Sequence, residues 1–206
     1  MPEVNEVTVK PAIKFYFDFL SPYAYLAHHR LTKLAEEYGY TLDYRPIDLA
    51  LAKQLVGNTG PSSREIPIKH KYLREDLARW ARLYDIPFSP PAGYGSDRLN
   101  AGAFFALDRN AAAFYVHAAW PLIWGEGGAM NDDALLTNVA KQMRWDPDEF
   151  LAYVSGAEVA SRLQISTENA TQSGVFGVPM MCIDNYMWWG NDRLHFLEDY
   201  LKGSFR

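Results

Sequence analysis

The sequence predicts an α/β fold in which a block of helices separates two parts of one sheet. Three observations predict it. A β-α-β pattern occupies residues 13–45, mainly helical periodicity with no β-rich run fills the middle of the chain, and a β-β-α pattern closes it. The length of 206 residues suits one large domain or a small one carrying an insert. It lies far above the ~70–80 residues below which a core needs staples.

The first element reads as a strand. Ile13, Phe15, Phe17 and Phe19 alternate with Lys14, Tyr16 and Asp18, a period of two with high β-propensity. Leu20-Ser21-Pro22 breaks it. Ser21 stands at a good N-cap position and Pro22 at the first helical position. Ala27, Leu31, Leu34, Ala35 and Tyr38 then recur at helical spacing, and Gly39 supplies the stop. Thr41–Arg45 reads as a second strand, ended by Pro46. A parallel pair with a right-handed crossover follows from a β-α-β unit of this length.

A loop rich in breakers comes next, Gly57–Ser63. Pro67 opens a helix whose apolar stripe is Leu73, Leu77, Trp80, Ala81 and Tyr84, with Pro87 ending it. Pro90-Pro91-Ala92-Gly93 is a second loop. From about Asp97 to Gly174 the pattern is mainly helical, broken at Gly125–Gly128 and near Pro147. Val178–Ile183 and Tyr186–Trp189, joined by Asp184-Asn185, read as a hairpin. A last helix runs from Asn191 or Asp192 to Leu201, with Leu194, Leu197 and Leu201 inward. Periodicity alone leaves this at α/β with a helical block. Two parts of one sheet with helices inserted between them describe a thioredoxin-like domain carrying an all-helical insert. The expected division is 10–50 with 175–206 for the thioredoxin-like domain, 51–174 for the insert, and 1–9 as an N-terminal extension.

Composition narrows the function classes. Lys+Arg 20 against Asp+Glu 25 gives −5, which argues against a general nucleic-acid binder. One cysteine, Cys182, can form neither an internal disulfide nor a Cys₄ zinc site. Met1–Glu6 lacks a basic and an apolar signal region, and the longest mostly apolar stretch, Ala111–Trp124, is short of the ~20 residues that span a bilayer. A soluble, cytoplasmic protein without a membrane partner is expected. Five histidines show no ligand spacing, so no metal site is expected, and His28 and His29 are placed on the outer half of the first helix. Cys182 reads as a buried, inert strand residue, and Trp80 and Trp120 as core. Gly125-Glu126-Gly127-Gly128 lacks the Lys-Ser/Thr of a phosphate loop.

Ser21 is the first site candidate. A helix N-terminus offers unpaired N–H groups and the positive end of the dipole, which stabilise a thiolate. Ser21-Pro22-Tyr23-Ala24 stands where a thioredoxin-like enzyme carries Cys-x-x-Cys, and Val178-Pro179 stands where such enzymes carry a cis-proline. The plainer readings stay open: Ser21 as a simple cap, and Pro179 as a trans proline at a strand start.

Phe15–Tyr23, then Lys69, Tyr72, Leu77 and Trp80, then Val175–Pro179, then Trp188–Leu194 resemble, in order and spacing, the kappa-class glutathione transferases and their relatives. Within that group the chain most resembles the 2-hydroxychromene-2-carboxylate isomerases, over about Lys14 to Leu201. The resemblance implies a catalytic Ser21 whose hydroxyl donates to the glutathione sulfur without becoming covalently attached. It implies Val178 pairing with the cysteinyl portion, and Trp189, Gly190, Asn191 and Asp192 holding the γ-glutamyl end. For Asn191 and Asp192 the alternative is a helix cap without a ligand. It implies substrate contacts at Lys53, Ser63, Arg64 and Tyr94, two of them cations suited to a carboxylate, with solvated loop charges as the alternative. Ser63 and Gly93 depart from the asparagines the family often carries, which bears on the substrate side rather than the glutathione side. The implied activity is a glutathione-dependent isomerisation of 2-hydroxychromene-2-carboxylate to trans-o-hydroxybenzylidenepyruvate in naphthalene and related aromatic breakdown, by a homodimer acting on a small aromatic carboxylate. A kappa-class-like transferase and a non-catalytic glutathione- or peptide-binding module are the rivals. A disulfide oxidoreductase is disfavoured, because Ser21–Ala24 holds no thiol.

Overall fold

The computed structural model describes residues 10–204. The expected extension 1–9 lies outside them. Strand β1 (Ala12–Phe17) pairs in parallel with β2 (Thr41–Pro46) and antiparallel with β3 (Met180–Ile183), which pairs antiparallel with β4 (Tyr186–Trp189). The sheet order is β2-β1-β3-β4. Helix α1 (Pro22–Glu37) is the crossover between β1 and β2.

Strand alternation assigns two cores. Ile13, Phe15 and Phe17 are fully buried on one face, joined there by Met181 and Ile183 of β3. The opposite face carries Met180, Cys182 and Tyr16 against Ile47, Ala52 and Ala170. The fully buried strand β3 serves both faces, so it reads as a continuous apolar run.

Between β2 and β3 come α2 (Leu49–Leu55), α3 (Pro67–Tyr84), α4 (Asp97–Leu107), α5 (Ala112–Trp120), a π-helical turn (Pro121–Gly125), α6 (Asp133–Gln142), α7 (Pro147–Val154) and α8 (Ala157–Gln172). A 3-10 turn (Asn191–Arg193) leads into α9 (Leu194–Leu201). The aromatic core is continuous from sheet to helices. Phe17 meets Phe19 and Trp120, Phe19 meets Tyr115, and Tyr115 meets Trp145 and Phe150. Gly102 lets α4 approach α5 closely, since a Cβ there would lie 2.2 Å from the Tyr115 hydroxyl.

The residues between β2 and the Gly57–Ser63 loop, unassigned from the sequence, form α2: Asp48 caps it by accepting from Ala50 N and Leu51 N, and the expected 50/51 boundary falls inside that helix. Two expectations are corrected. Helix α3 ends at Asp85 in the left-handed conformation (φ 53°), two residues before Pro87. His28 is buried, not outward. Helix α1 packs against β2, α3 and α9, so more than one of its faces is covered, and the His28 ring reaches the Tyr44 hydroxyl at 3.0 Å. Leu194 and Leu197 are buried as expected, while Leu201 is half-buried. Trp120 is core, and Trp80 is half-buried beside the site.

Candidate functional site

Ser21 caps α1. Its φ and ψ of −92° and 112° put the Oγ where it accepts from Ala24 N at 3.2 Å, and Pro22 fills the first helical position. Oγ spends acceptor capacity on the cap and keeps its own proton for a ligand. The cap bond therefore does not use up the hydroxyl proton. Facing it, the Val178–Pro179 bond is cis. The sheet ladders begin at Met180, so Val178 lies outside the β3 pairings.

Two cavities adjoin here, with Tyr23 and Val178 lining both. The larger, about 490 Å³, runs over Ser21 toward α2 and the α2–α3 loop, and takes in Lys53, Ser63 and Arg64. The smaller, about 320 Å³, lies between α3 and the end of β4, and takes in Trp189, Gly190, Asn191 and Asp192. Every expected glutathione-side residue lines one or both. Of the expected substrate-side residues, Tyr94 alone lines neither. It is exposed and packs its ring on Arg64, 4.6 Å from centroid to guanidinium carbon.

The smaller cavity is built on a strand end. Gly190 has φ 100°, and a Cβ would meet Asp192 Oδ1 at 2.6 Å, so glycine is required for the chain to turn there. Asn191 is 2% exposed; its Oδ1 accepts from the Tyr84 hydroxyl at 3.1 Å, while its Nδ2 is buried without a protein partner. Asp192 is exposed and paired with Arg193. Trp189 packs edge-on against Phe176 and over Gly177. On the opposite wall the Tyr23 hydroxyl donates to Asp76 at 2.7 Å, and burial together with that carboxylate holds the phenol well above its usual range.

In the larger cavity Arg64 is no free loop charge. Its Nη2 donates to Leu20 O at 2.8 Å, and burial lowers its pKa, partly offset by Tyr94 and Asp18. Its remaining guanidinium donors are free for an anion. Lys53 is half-buried on α2, and Ser63 is exposed. Apolar wall comes from Leu20, Leu49 and Leu73. This cavity therefore sets two cations beside an apolar wall.

Sequence reasoning missed Asp18, Asp76 and the opening of α2. Asp18 carries a visible signal, an acid inside the aromatic run Phe15–Phe19. Asp76 lies on an ordinary charged helix face, where nothing sets it apart. Cys182 is buried on the far face of the sheet, where burial raises its pKa to about 11. Among the described residues no group of three or more His, Cys, Asp or Glu could hold a metal, and no helix is long and apolar enough to cross a membrane.

Residues 12–202 match the DSBA-like thioredoxin domain. The chain is 43% identical over 192 residues to a 2-hydroxychromene-2-carboxylate isomerase of Pseudomonas sp. (strain C18), covering 93% of this chain and 91% of that one. A solved structure of a 2-hydroxychromene-2-carboxylate isomerase superposes with a TM-score of 0.90 at 44% identity, covering 94% of this chain and 95% of that one. Glutathione S-transferase kappa 2 of Caenorhabditis elegans is more distant, 26% identical over 213 residues, covering 96% and 94%.

Proposed function

The chain belongs to the 2-hydroxychromene-2-carboxylate isomerase family, built on a DSBA-like thioredoxin domain, and from that premise we propose that it is a glutathione-dependent isomerase. The reaction is the interconversion of 2-hydroxychromene-2-carboxylate and trans-o-hydroxybenzylidenepyruvate. One observation carries the reading. Two adjoining cavities share Tyr23 and Val178, with Ser21 lining the larger; the smaller offers the Asp192 carboxylate, the larger two cations and an apolar wall.

The residues fit glutathione. Asp192 suits the ammonium of the γ-glutamyl end, and Gly190 and Asn191 line the same cavity beside it. When bound, glutathione supplies a thiolate whose reversible addition to the conjugated chain lets a double bond rotate. The Ser21 hydroxyl donates a hydrogen bond to the sulfur, which favours the ionised form. The N-terminus of α1 adds its dipole. Arg64 and Lys53 hold the substrate carboxylate against the Ser21 side of the cavity, and Leu20, Leu49 and Leu73 cover the ring. The same reading includes a role in naphthalene and related aromatic breakdown, a cytoplasmic setting and a homodimer. Exposed Tyr186 and Met187 on the edge strand β4 offer a surface for a second copy.

The test mixes purified protein with the chromene carboxylate, with and without catalytic glutathione, and follows absorbance. Equilibration that needs glutathione and leaves its concentration unchanged is the expected result. Stoichiometric loss of glutathione would replace the isomerase with a kappa-class-like transferase. Binding without turnover would replace it with a binding module.

A further inference from the structure

The turn that presents Ser21 is held from outside itself. Phe19 N donates to Asn100 Oδ1 at 3.1 Å, and Phe19 O accepts from Trp124 Nε1 at 2.9 Å. Leu20 O accepts from Arg64, and Leu20 N donates to Asp18 Oδ1 at 2.8 Å. Asp18 is the hub. It is 1% exposed, and Oδ1 also accepts from Ser96 Oγ at 2.5 Å and Asn100 Nδ2 at 2.9 Å. Its other oxygen, Oδ2, accepts from Leu49 N at 2.9 Å.

Two features separate this from an ordinary buried acid. Ser96 stands at the N-cap of α4 yet makes no capping bond; its hydroxyl is spent on Asp18 instead. And the two backbone groups that Asp18 binds belong to different walls of one cavity. Leu20 precedes Ser21, and Leu49 is the first residue of α2, whose Ala50, Lys53 and Gln54 line the larger cavity. Three of the four contacts are N–H groups, which only donate; burial raises the Asp18 pKa, and these hydrogen bonds oppose that rise.

We propose that Asp18 is a positioning residue that locks the Ser21 turn to the start of α2, so that the serine hydroxyl and the Lys53 ammonium converge on one substrate. The inference rests on the proposed isomerase reading and deepens it. Asp18 touches no reacting atom; it acts through Leu20 and Leu49.

The experiment compares Asp18→Asn, Ser96→Ala and Val139→Ala with wild type. Val139 is buried in α6, away from both cavities, and controls for lost stability. In ligand-free protein, amide exchange at Leu20 and Leu49 should quicken in the first two variants and not in the third. With glutathione and substrate, kcat should fall about 100-fold in Asp18→Asn and about ten-fold in Ser96→Ala, with KM little moved, as expected when reacting groups shift by about an ångström. Val139→Ala should stay within about two-fold of wild type, since a cavity in a distant core lowers stability rather than alignment. Unchanged exchange, or turnover that follows only the loss of thermal stability, would overturn the proposal. If Asp18→Asn does not fold, Ser96→Ala decides against the same control. If wild-type protein binds glutathione but does not isomerise, the functional reading falls alone. The Asp18 proposal is then judged by exchange and by the pKa of the bound thiol in Ser96→Ala, raised if it holds and unmoved if it does not. Wild-type protein that binds no glutathione overturns both.

Discussion

The two halves of the site are made of different material. The half proposed to hold glutathione is the end of β1, the cap of α1, the cis bond before β3 and the turn after β4. Ser21 and Asn191 are buried there, and Gly190 is required by backbone geometry. The half proposed to hold the substrate is side chains on a short helix and a loop, with Ser63 and Tyr94 exposed. A half built from main chain and buried polar groups tolerates little, because each change leaves a group unsatisfied. In the other half, exposed Ser63 and Tyr94 can be altered without disturbing the fold, while Arg64 is half-buried and bonded to Leu20 O.

Substitutions should sharpen that contrast or break it. Ser21→Ala is expected to cut turnover about 10- to 100-fold near neutral pH, the worth of a hydrogen bond to a charged group. The loss should shrink as pH rises, because the thiol then ionises unaided; a pH–rate profile checks this, and an unchanged rate would remove Ser21 from the mechanism. Asn191→Leu strips the Tyr84 hydroxyl of its acceptor and removes the buried donor. Glutathione affinity, read by calorimetry, should fall about ten-fold or more.

Acid tests the frame that carries both halves. Burial holds His28 at about 3, against an ordinary 6.5, with His117 and His29 adding to the effect. The folded state refuses a proton that the unfolded chain accepts. Its contribution is therefore complete above pH 6.5 and is lost as pH falls toward 3, at up to about 1.4 kcal/mol per unit. Thermal melts should show that slope, and His28→Gln should flatten it. Both halves should be lost together, since α1 supplies the cap and His28 alike.

Smaller effects are expected on the substrate side. Arg64→Lys keeps the charge and loses the planar fork that reaches Leu20 O, so KM for the carboxylate should rise about ten-fold while glutathione affinity moves far less. Ser63→Asn adds a polar arm at an exposed position and should shift KM by no more than about three-fold, the ordinary scale of a surface change. A large effect of Ser63→Asn on glutathione binding would break the contrast.

Much of this was legible in the residues. The alternation at Ile13, Phe15 and Phe17 marked β1, and Ser21-Pro22 marked the start of α1, because strand period and cap preference are local properties. Asp184-Asn185 marked the β3–β4 hairpin, and Asp184 takes a positive φ of 51° there. Helix α2 was missed because seven residues beside a breaker-rich loop carry little periodicity. His28 was misjudged because the wrap of α1 by three neighbours depends on distant elements.

By itself, the sequence determined the order of the strands, the first and last helices and α3, the serine at a helix start and the chemical types gathered near it, since these follow from neighbours a few residues apart. Tertiary structure alone decided the cis geometry at Pro179, the burial of His28, and the joining of Leu20 to Leu49 through Asp18. It also decided that Asn100 and Arg64 close on the Ser21 turn, across 81 and 44 residues of chain. Such contacts depend on how the sheet and helices pack, and a buried carboxylate is stable only where that packing brings its donors to it.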